Sequence, residues 1–385
     1  MEDYAMLFAE NLRRFRKHLK MTQEQLGERL GYTEKAVSKW EGGNSIPPAE
    51  TLILLADALN VSLDDLFGHS SQADYYLGID GGATKTTFAL ADRQGNILQK
   101  IVLGPSNPFD LGFAAAAAII EQGINQITSH MHRRKIAMFA GISGGGMHEM
   151  RERFKMLFAS YGFLRADNGS DALNIIAAGL KGSDGIIVIM GTGISCFVSC
   201  NGEITRLGGL GYLFDRGGSG YNLGNDAIYA ACCDEDGTGE RTLITRLLCE
   251  ECKSAPLSKN IFQFYNAGKT GIASFAPVVF EAYAQGDKVA EEILDRNMKS
   301  VASLIASAGR CFGDKTSPIK VSFVGGLTKQ WDVLFPMISR HLEEIEAEKD
   351  FDINVFDGDV VVGALACAGM PIDGKTINCK QLFAD

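Results

Sequence analysis

The spacing of hydrophobic residues changes once along the chain, from a helical period to a strand period. Over residues 1–68, apolar positions recur every three or four residues in short segments separated by turns, which is typical of short amphipathic helices. In the first segment, Leu12, Phe15 and Leu19 fall on one predicted helix face. From residue 75 onward, compact runs such as "TTFALAD" are rich in strand formers. The pattern predicts a small helical domain followed by a larger α/β body.

Two of the predicted helices carry start and stop signals. Thr22, followed three residues later by Gln25, is a capping-box pattern, and Gly31 ends that helix. The next segment, "YTEKAVSKWEGG", begins with Thr33 as its N-cap and stops at Gly42. Two short helices joined by a tight turn are typical of a helix-turn-helix.

The second helix of this pair would present polar side chains to DNA, because the start of a recognition helix meets base edges in the major groove. The predicted DNA-binding residues are Gln23, Thr33, Glu34, Lys35, Ser38 and Lys39. Gln23, at the start of the preceding helix, suits a phosphate contact or the backing of a base contact. A helical bundle used only for protein contacts is the alternative.

Residues 7–67 resemble the Xre/Cro-like repressor family over nearly their whole length. The segments "TQEQLGERLG" and "VSKWEGG" carry the likeness. The resemblance implies binding to operator DNA as a homodimer, with half-sites about one helical turn apart or a multiple of it. The formal net charge of −10 argues against non-specific coating of nucleic acid, but it leaves room for a small module with one basic face.

The stretch "YYLGIDGGATKTTFALAD", residues 75–92, looks at first like a P-loop. A P-loop needs glycine before the lysine and a helix after it, whereas Thr84 precedes Lys85 and strand formers follow. The pattern therefore predicts a glycine-rich hairpin, whose amides can approach an anion closely. Its candidate phosphate-binding residues are Asp80, Gly81, Gly82, Thr84, Lys85 and Thr86. Asp80 can hold Mg²⁺ through water. An ordinary hairpin is the alternative.

Two later glycine turns repeat this design. Residues 185–208 predict a strand, a Gly-Thr-Gly turn and two further strands, and a third glycine turn follows a strand that ends at Val324. The residues predicted to face the nucleotide at these turns are Gly191, Thr192, Gly193, Gly325 and Gly326. Two similar halves with facing hairpins suit a nucleotide held in a cleft between two sheets.

The body resembles the actin-like ATPase and sugar kinase superfamily. "DGGATKT" looks like its first phosphate motif, "GTG" like its second and "VGGL" like its adenosine motif. Within it, the likeness is to the N-acetylglucosamine kinase and BadF/BadG-type ATPase family, over roughly residues 75–370. The resemblance implies an α/β fold in which the actin-like, ribonuclease H-like ATPase fold is duplicated into two lobes around a nucleotide cleft. It also implies ATP and Mg²⁺ as cofactors.

The predicted domain boundaries follow from these assignments. They are 1–68 for an all-α helix-turn-helix domain, 69–74 for a polar linker, 75–182 for the first lobe and 183–385 for the second.

Asp171 is the candidate general base. It starts a predicted helix directly after a strand, so its carboxylate should project toward the cleft, where a base must take the proton of a sugar hydroxyl. The resemblance assigns it the same role; a helix N-cap is the alternative. The predicted sugar- or effector-binding residues are Asn107, Asp171, Ser195, Gly209, Leu210, Gly211, Asp215 and Arg216. For Asn107, a turn residue before Pro108 is the alternative.

The sugar side departs from the family pattern at two places. The family reads Gly-Thr-Gly-Ser-Asn at the second hairpin, whereas Ile194 and Ser195 follow the glycines here. The family also reads Gly-Asp-Glu-Gly-Ser where Asp215, Arg216 and Gly217 stand. Since an arginine favours carboxylate or phosphate, we expect a ligand that is an anionic sugar or sugar phosphate, sensed more than phosphorylated. The alternative is that Asp215 replaces the missing carboxylate.

The helix-turn-helix and the kinase-like body together predict a ligand-responsive transcription regulator. The alternative function is an active ATP-dependent sugar kinase with Asp171 as its base. No apolar run approaches the roughly 20 residues that span a bilayer, and the nine scattered cysteines fit reduced thiols. We therefore expect a cytoplasmic protein without membrane contact. The lone pair Cys249 and Cys252 is weak as a zinc signal.

Overall fold

A computed structural model of the chain describes most of its residues. The described residues are 4–67, 73–313, 318–345, 349–372 and, for the backbone, 375–376. Two compact units are present, one spanning Met1–Asp74 with Arg134–Ile136 and the other Tyr75–Arg133 with Ala137–Asp385. Residues 69–72 of the predicted linker lie outside the described residues, and the predicted domain boundaries stay a prediction.

The head, residues 4–67, is helical as expected. Its helices are α1 (Tyr4–His18), α2 (Gln23–Leu30), α3 (Glu34–Glu41), α4 (Ala49–Leu59) and α5 (Leu63–Leu66). Fully buried side chains from each helix form one core: Phe8, Leu12, Leu26, Val37, Leu55 and Leu66. Burial of these apolar surfaces stabilises helices that are too short to persist alone.

The predicted helix signals in the head are partly confirmed. The Thr22 hydroxyl accepts a hydrogen bond from the Gln25 amide at 3.1 Å, and Gly31 adopts a left-handed conformation at φ 73°. Thr33 occupies the N-cap position of α3, but its side chain makes no capping hydrogen bond. Leu19 was expected on the buried face; α1 ends before it, and its side chain is exposed.

The first sheet of the body contains the predicted hairpin. Its strands are β1 (Tyr75–Gly81), β2 (Thr86–Asp92), β3 (Ile97–Leu103), β4 (Ile136–Ile142) and β5 (Arg165–Ser170). The helices among and after them are α6 (Pro108–Leu111), α7 (Phe113–Ile127), α8 (His148–Ala159) and α9 (Asp171–Leu180). β1, β2 and β3 form an antiparallel meander, and β5 runs parallel to β4.

The second sheet follows in the chain. Its strands are β6 (Gly185–Met190), β7 (Ile194–Cys200), β8 (Glu203–Leu207), β9 (Ile319–Val324) and β10 (Phe351–Val355). The accompanying helices are α10 (Gly220–Asp236), α11 (Leu243–Cys252), α12 (Ile261–Ala273), α13 (Ala276–Ala284), α14 (Lys288–Gly309), α15 (Trp331–Glu344) and α16 (Val361–Cys367). The short strands β11 (Pro371–Ile372) and β12 (Lys375–Thr376) pair with each other.

The two sheets have the same topology. The first has the strand order β3-β2-β1-β4-β5, and the second, taken from its meander edge, has the order β8-β7-β6-β9-β10. Each begins with an antiparallel meander and then adds its fourth and fifth strands on the other side of the first. The duplicated α/β fold expected from the sequence is confirmed.

Helices α9 and α16 hold the two sheets together. Ile176 and Leu180 of α9 pack against Ile187 of β6. A Cβ added at Gly363 of α16 would lie 1.8 Å from the Asn174 carbonyl oxygen, so the absence of a side chain there permits close packing of α16 on α9. Helix α9 therefore carries its first residue into the region between the sheets. No helix within the described ranges is long and apolar enough to cross a membrane.

Candidate functional site

A buried hydrogen bond fixes the acid at the end of β1. The Asn174 side-chain amide, on α9, donates to Asp80 Oδ1 at 2.8 Å. Asn174 is fully buried, and a Cβ at Gly141 would lie 2.2 Å from its Oδ1, so the glycine makes room for it. The sequence does not indicate a role for Asn174, which stands there as a polar residue in a mostly apolar helix.

Asp171 lies at the first turn of α9, as expected. The Ser170 hydroxyl accepts from the Ala172 amide and so acts as the N-cap, while Asp171 Oδ1 accepts from the same amide at 3.0 Å. The Ser170 hydroxyl also donates to Asp171 Oδ1 at 3.0 Å. Burial raises the pKa of Asp171 against these hydrogen bonds. An acid whose pKa is raised accepts a proton more readily, as a general base requires.

Three carboxyl groups influence one another in this region. Burial raises the pKa of Asp80, the Asn174 hydrogen bond opposes it, and the charges of Asp171 and Asp359 raise it further. Asp359, between β10 and α16, was not predicted as a site residue; it forms an ion pair with Lys100.

The residues around Asp80 fit a Mg²⁺ ion held mainly through water. Among the described side chains, His, Cys, Asp and Glu form no group of three or more that could ligate a metal directly. Mg²⁺ commonly keeps several waters and binds through one or two carboxylates and the substrate phosphates. A cation there would offset the mutual repulsion of the acids.

The first hairpin has an open tip. The Gly82 amide donates to the Lys85 carbonyl at 2.9 Å, and Thr84 and Lys85 are exposed. A Cβ at Gly81 would lie 2.5 Å from Ser106 Oγ, which explains the glycine there. Thr86 is fully buried, with its hydroxyl 2.8 Å from both Gly104 O and Ser106 Oγ. That hydroxyl stabilises the hairpin, which disfavours the phosphate contact predicted for it.

The second hairpin is fastened to the start of α10. The amides of Gly220 and Tyr221 donate to the carbonyls of Gly191 and Thr192 at 2.8 and 3.1 Å. The turn closes through the Gly191 amide, which donates to the Gly193 carbonyl at 2.9 Å. These bonds use hairpin carbonyls and fix the turn against the helix.

The third glycine turn and a lysine of α12 adjoin this hairpin. Gly325 has φ 122°, and a Cβ there would lie 2.3 Å from the Met190 carbonyl oxygen, whereas Gly326 faces open space. The ammonium of Lys269, on α12, lies 3.4 Å from where a Cβ of Gly193 would stand. Lys269 was not predicted, because no sequence motif links α12 to the hairpin. It adds a positive charge beside a turn expected to face phosphate.

A cavity of about 560 Å³ lies between α10 and α12, next to the second hairpin. Its polar and aromatic lining includes Tyr212, Tyr221, Asp226, Tyr229, Tyr265 and Lys269. Tyrosine rings of this kind provide stacking surfaces for a planar ring. A second cavity, of about 380 Å³, is lined from both sheets and includes Ser170 and Ala172, the neighbours of Asp171.

The predicted sugar-binding residues are not all available for a ligand. Asn107 Oδ1 accepts from the Phe109 amide at 2.9 Å, so this side chain caps α6. Asp215 accepts from the amides of Leu210 and Gly211, both at 3.0 Å. Its carboxylate thus closes its own loop, which argues against its replacing the missing family carboxylate.

Ser195, Gly209 and Arg216 complete the predicted sugar side. Ser195 Oγ lies 2.6 Å from where a Cβ of Gly209 would stand, so strand β7 and this loop are in close contact. Arg216 is exposed and lines neither cavity.

The predicted recognition face is exposed on α3. Its exposed side chains are Thr33, Glu34, Lys35, Ser38 and Lys39. The Gln23 side chain is held by a hydrogen bond within the head instead, since its amide donates to Glu41 Oε2 at 2.7 Å. Glu41 also accepts from Arg16 at 2.5 and 2.8 Å, so one buried carboxylate joins α1, α2 and α3. This favours the backing role for Gln23.

Comparisons with known proteins agree with both parts of the chain. Residues 77–368 match the BadF/BadG/BcrA/BcrD ATPase family, and residues 12–66 match the helix-turn-helix family. The chain is similar to the N-acetylmuramic acid/N-acetylglucosamine kinase of Clostridium acetobutylicum, at 26% identity over 276 residues, 70% of this chain and 90% of that protein.

Two solved structures share the fold. A Chromobacterium violaceum protein provisionally named an N-acetylglucosamine kinase aligns with a TM-score of 0.60 and 22% identity, covering 78% of this chain and 100% of that one. A ROK family transcriptional regulator, a homologue of the E. coli MLC protein, aligns with a TM-score of 0.51 and 12% identity over 95% of both chains. The chain therefore belongs to the BadF/BadG/BcrA/BcrD ATPase family and carries a helix-turn-helix domain in front of its ATPase domain.

Proposed function

We propose that this protein is a ligand-responsive transcription regulator that acts as a homodimer. The head binds operator DNA, and the body binds ATP with Mg²⁺ and an amino sugar or a derivative of one. The observation that carries the proposal is that an exposed recognition face on α3 belongs to the same chain as a body with two glycine hairpins and a buried Asp80–Asn174 pair.

The nucleotide would lie with its phosphates between the two hairpins. Lys85 at the open tip of the first hairpin, with Gly193 and Lys269 at the second, would face the phosphates, and Asp80 would hold Mg²⁺ through water. Mg²⁺, when bound, neutralises phosphate charge. This arrangement supports nucleotide binding independently of any turnover.

The sugar would lie beside Asp171 in the cavity lined from both sheets. Because residues of both sheets line this cavity, a ligand there has a different affinity for each arrangement of the sheets. Such differential affinity is what couples one site to another, and typical coupling energies change a second affinity by about 5- to 150-fold. The second affinity here is that of the dimer for its operator.

Operator selection with the full-length protein tests the proposal. DNA sites are selected from a random library, and affinity is then measured by fluorescence anisotropy with and without MgATP, N-acetylglucosamine and N-acetylmuramic acid. We expect at least one ligand to shift the operator affinity at least about fivefold, and an Asp80→Asn variant to lose the MgATP effect. Unchanged operator affinity with every ligand, in a protein that light scattering shows to be dimeric, would refute the regulatory function.

A second candidate function is an active sugar kinase. It is favoured by the raised pKa of Asp171 at the start of α9 and by the likeness to the Clostridium kinase. Asp171 would take the proton of the attacking hydroxyl while the hairpins hold the γ-phosphate in line.

A coupled assay of ADP release over a panel of amino sugars tests the kinase. Asp171→Ala should lower kcat by about 10²- to 10⁴-fold, the usual contribution of a general base. Asp167→Asn, which changes an acid on the preceding strand β5, is the matched control and should leave kcat nearly unchanged. Nucleotide binding without any turnover would exclude the kinase and leave transcription regulation as the proposed function.

A further inference from the structure

We propose that Arg206 binds the negative group of the sugar ligand, and that this ligand is an amino sugar carrying one carboxylate or phosphate. The inference rests on the proposed function and narrows it, because it names the class of sugar and the residue that selects it. Arg206 lies on β8 and was not among the residues predicted from the sequence.

The cavity beside Asp171 has one cationic side chain in a lining that is otherwise mostly apolar. Its apolar lining includes Met147, Leu173, Ile176, Phe197 and Ile204. Among the described residues that line it, Arg206 is the only charged one. Ligand sites commonly combine apolar walls with a few polar groups that fix orientation, in volumes from about 300 Å³ upward. The cavity of about 380 Å³ is at the small end of this range, which suits a monosaccharide.

The guanidinium of Arg206 is available for a ligand. Its Nε donates to the Gly208 carbonyl at 3.1 Å, which fixes the direction of the group. No carboxylate within the described ranges pairs with it. Guanidinium groups bind carboxylate and phosphate through parallel hydrogen bonds, so the free end of the group is suited to either.

A hydroxyl lies next to this guanidinium. Ser195 Oγ and Arg206 Nη2 lie 2.6 and 2.9 Å from the point where a Cβ of Gly209 would stand. Gly209 has φ 66°, and any larger residue there would meet both groups. The glycine therefore allows the guanidinium that lines the cavity and a neighbouring hydroxyl to approach one point, as a pair of donors for one anionic group.

Arg206 is better placed than Arg216 for this role. Arg216 was expected to bind the anion, because it stands where the family has a carboxylate. It lies outside the cavity lining, whereas Arg206 is part of it together with Ser170 and Ala172. A sugar held beside Ser170 and Ala172, the two neighbours of Asp171, would thus share this cavity with Arg206.

Calorimetry with the full-length protein tests the inference. The ligands are N-acetylglucosamine, N-acetylmuramic acid, whose charge is a carboxylate, and N-acetylglucosamine 6-phosphate, whose charge is a phosphate. We expect one of the anionic sugars to bind about tenfold or more tightly than the neutral one, a preference that weakens as salt is raised. The better of the two anionic sugars identifies the source of the charge.

Three arginine variants locate the binding group. Arg206→Ala should reduce the preference to within about threefold, and Arg206→Lys should keep part of it, because a point charge replaces a planar one. Arg246→Ala, an exposed arginine on α11, is the control and should keep the preference. Unchanged thermal melting and MgATP affinity in Arg206→Ala establish that the variant is folded.

Several outcomes would overturn the inference. A preference that survives in Arg206→Ala and is lost in Arg216→Ala would move the role to Arg216. If the wild-type protein binds N-acetylglucosamine as tightly as both anionic sugars, the ligand class is wrong while the proposed function stands. If none of the three sugars binds, the sugar-binding part of the proposed function fails as well.

Discussion

The Asn174 side-chain amide donates a 2.8 Å hydrogen bond to Asp80 across 94 residues of sequence. Asn174 lies one helical turn after Asp171, so α9 carries both the candidate base and the group that orients the acid of the first hairpin. A movement of α9 relative to β1 would alter the proposed nucleotide site and the proposed sugar site together.

Replacing Asn174 with alanine should weaken MgATP binding by about tenfold, since a buried hydrogen bond to a charged group is typically worth about 1.5–3 kcal/mol. The measurement is calorimetry of MgATP. Asn168→Ala is the matched control, because Asn168 is also buried but donates to the Arg151 carbonyl instead. Both variants should lose stability in urea; equal losses of MgATP affinity would contradict a specific role for Asn174.

Asp171→Asn should stabilise the protein at neutral pH. Burial raises the pKa of Asp171, so its contribution to the free energy of unfolding falls as pH rises from the unfolded pKa of about 3.9 through the folded value. The variant should be more stable at pH 7, by about 1 kcal/mol, with an advantage that disappears near pH 4. Urea unfolding from pH 4 to pH 8 measures this.

Asp92→Asn should change the stability at pH 7 in the opposite direction. Hydrogen bonding by Asn96 lowers the pKa of the half-buried Asp92. Its ionised form therefore contributes stability above the unfolded pKa, and this stability is lost as pH falls through the folded pKa. This variant should be less stable than the wild type at pH 7. A stability gain in both variants would show that the effect is not specific to burial of Asp171.

The neighbouring glycines Gly325 and Gly326 should respond differently to alanine. Gly325→Ala should cost about 2 kcal/mol or more, because φ 122° strains an L residue and the Met190 carbonyl lies 2.3 Å from the new Cβ. Gly326→Ala meets open space and should change stability by no more than about 0.5 kcal/mol. Thermal denaturation of the two variants compares them; similar costs would contradict the packing of the third glycine turn on β6.

Glu41→Ala should destabilise the head by about 3–5 kcal/mol, because it leaves Arg16 charged and without its carboxylate partner. The side chain of Arg16 is 9% exposed and that of Glu41 is 3% exposed. Trp40 fluorescence in a Trp331→Phe background reports the head alone, since the chain has two tryptophans.

A double variant distinguishes loss of the ion pair from loss of packing. Arg16→Met with Glu41→Leu removes both charges and should recover most of the stability. If the double variant is as unstable as Glu41→Ala, burial of an unpaired charge is not the cause.

Lys35→Ala should weaken binding to the selected operator by roughly tenfold. If Lys35 contacts a phosphate, the slope of log affinity against log salt concentration should also fall by about one. A change in base preference at one position, with the salt dependence kept, would indicate a base contact instead. Lys288→Ala, an exposed lysine of α14, is the control for a general loss of positive charge. Equal losses in the two variants would argue against a recognition role for α3.

The local elements of this protein follow from its sequence. The capping box at Thr22, the glycine at Gly31 and the strand-turn-strand patterns at both hairpins all appear in the structure where their spacing predicts them. Each depends on interactions between residues only a few positions apart. Asp171 at the start of α9 is predictable for the same reason, since a strand, a cap and a helix follow one another directly.

The candidate site in the body and the ion pair in the head both depend on contacts between segments that are distant in sequence. Asn174 meets Asp80, Arg16 meets Glu41, and Lys269 meets the second hairpin because packed helices bring them together. The same holds for Arg206: from the sequence, Arg216 stood at the family position, and only the cavity that α9 and β8 line together showed which arginine faces it. The sequence by itself determined the helices, the hairpins and the duplicated order of elements, because these arise from local periodicity and turn chemistry. The tertiary structure decided which side chains share a cavity, because burial and distance depend on how the sheets pack.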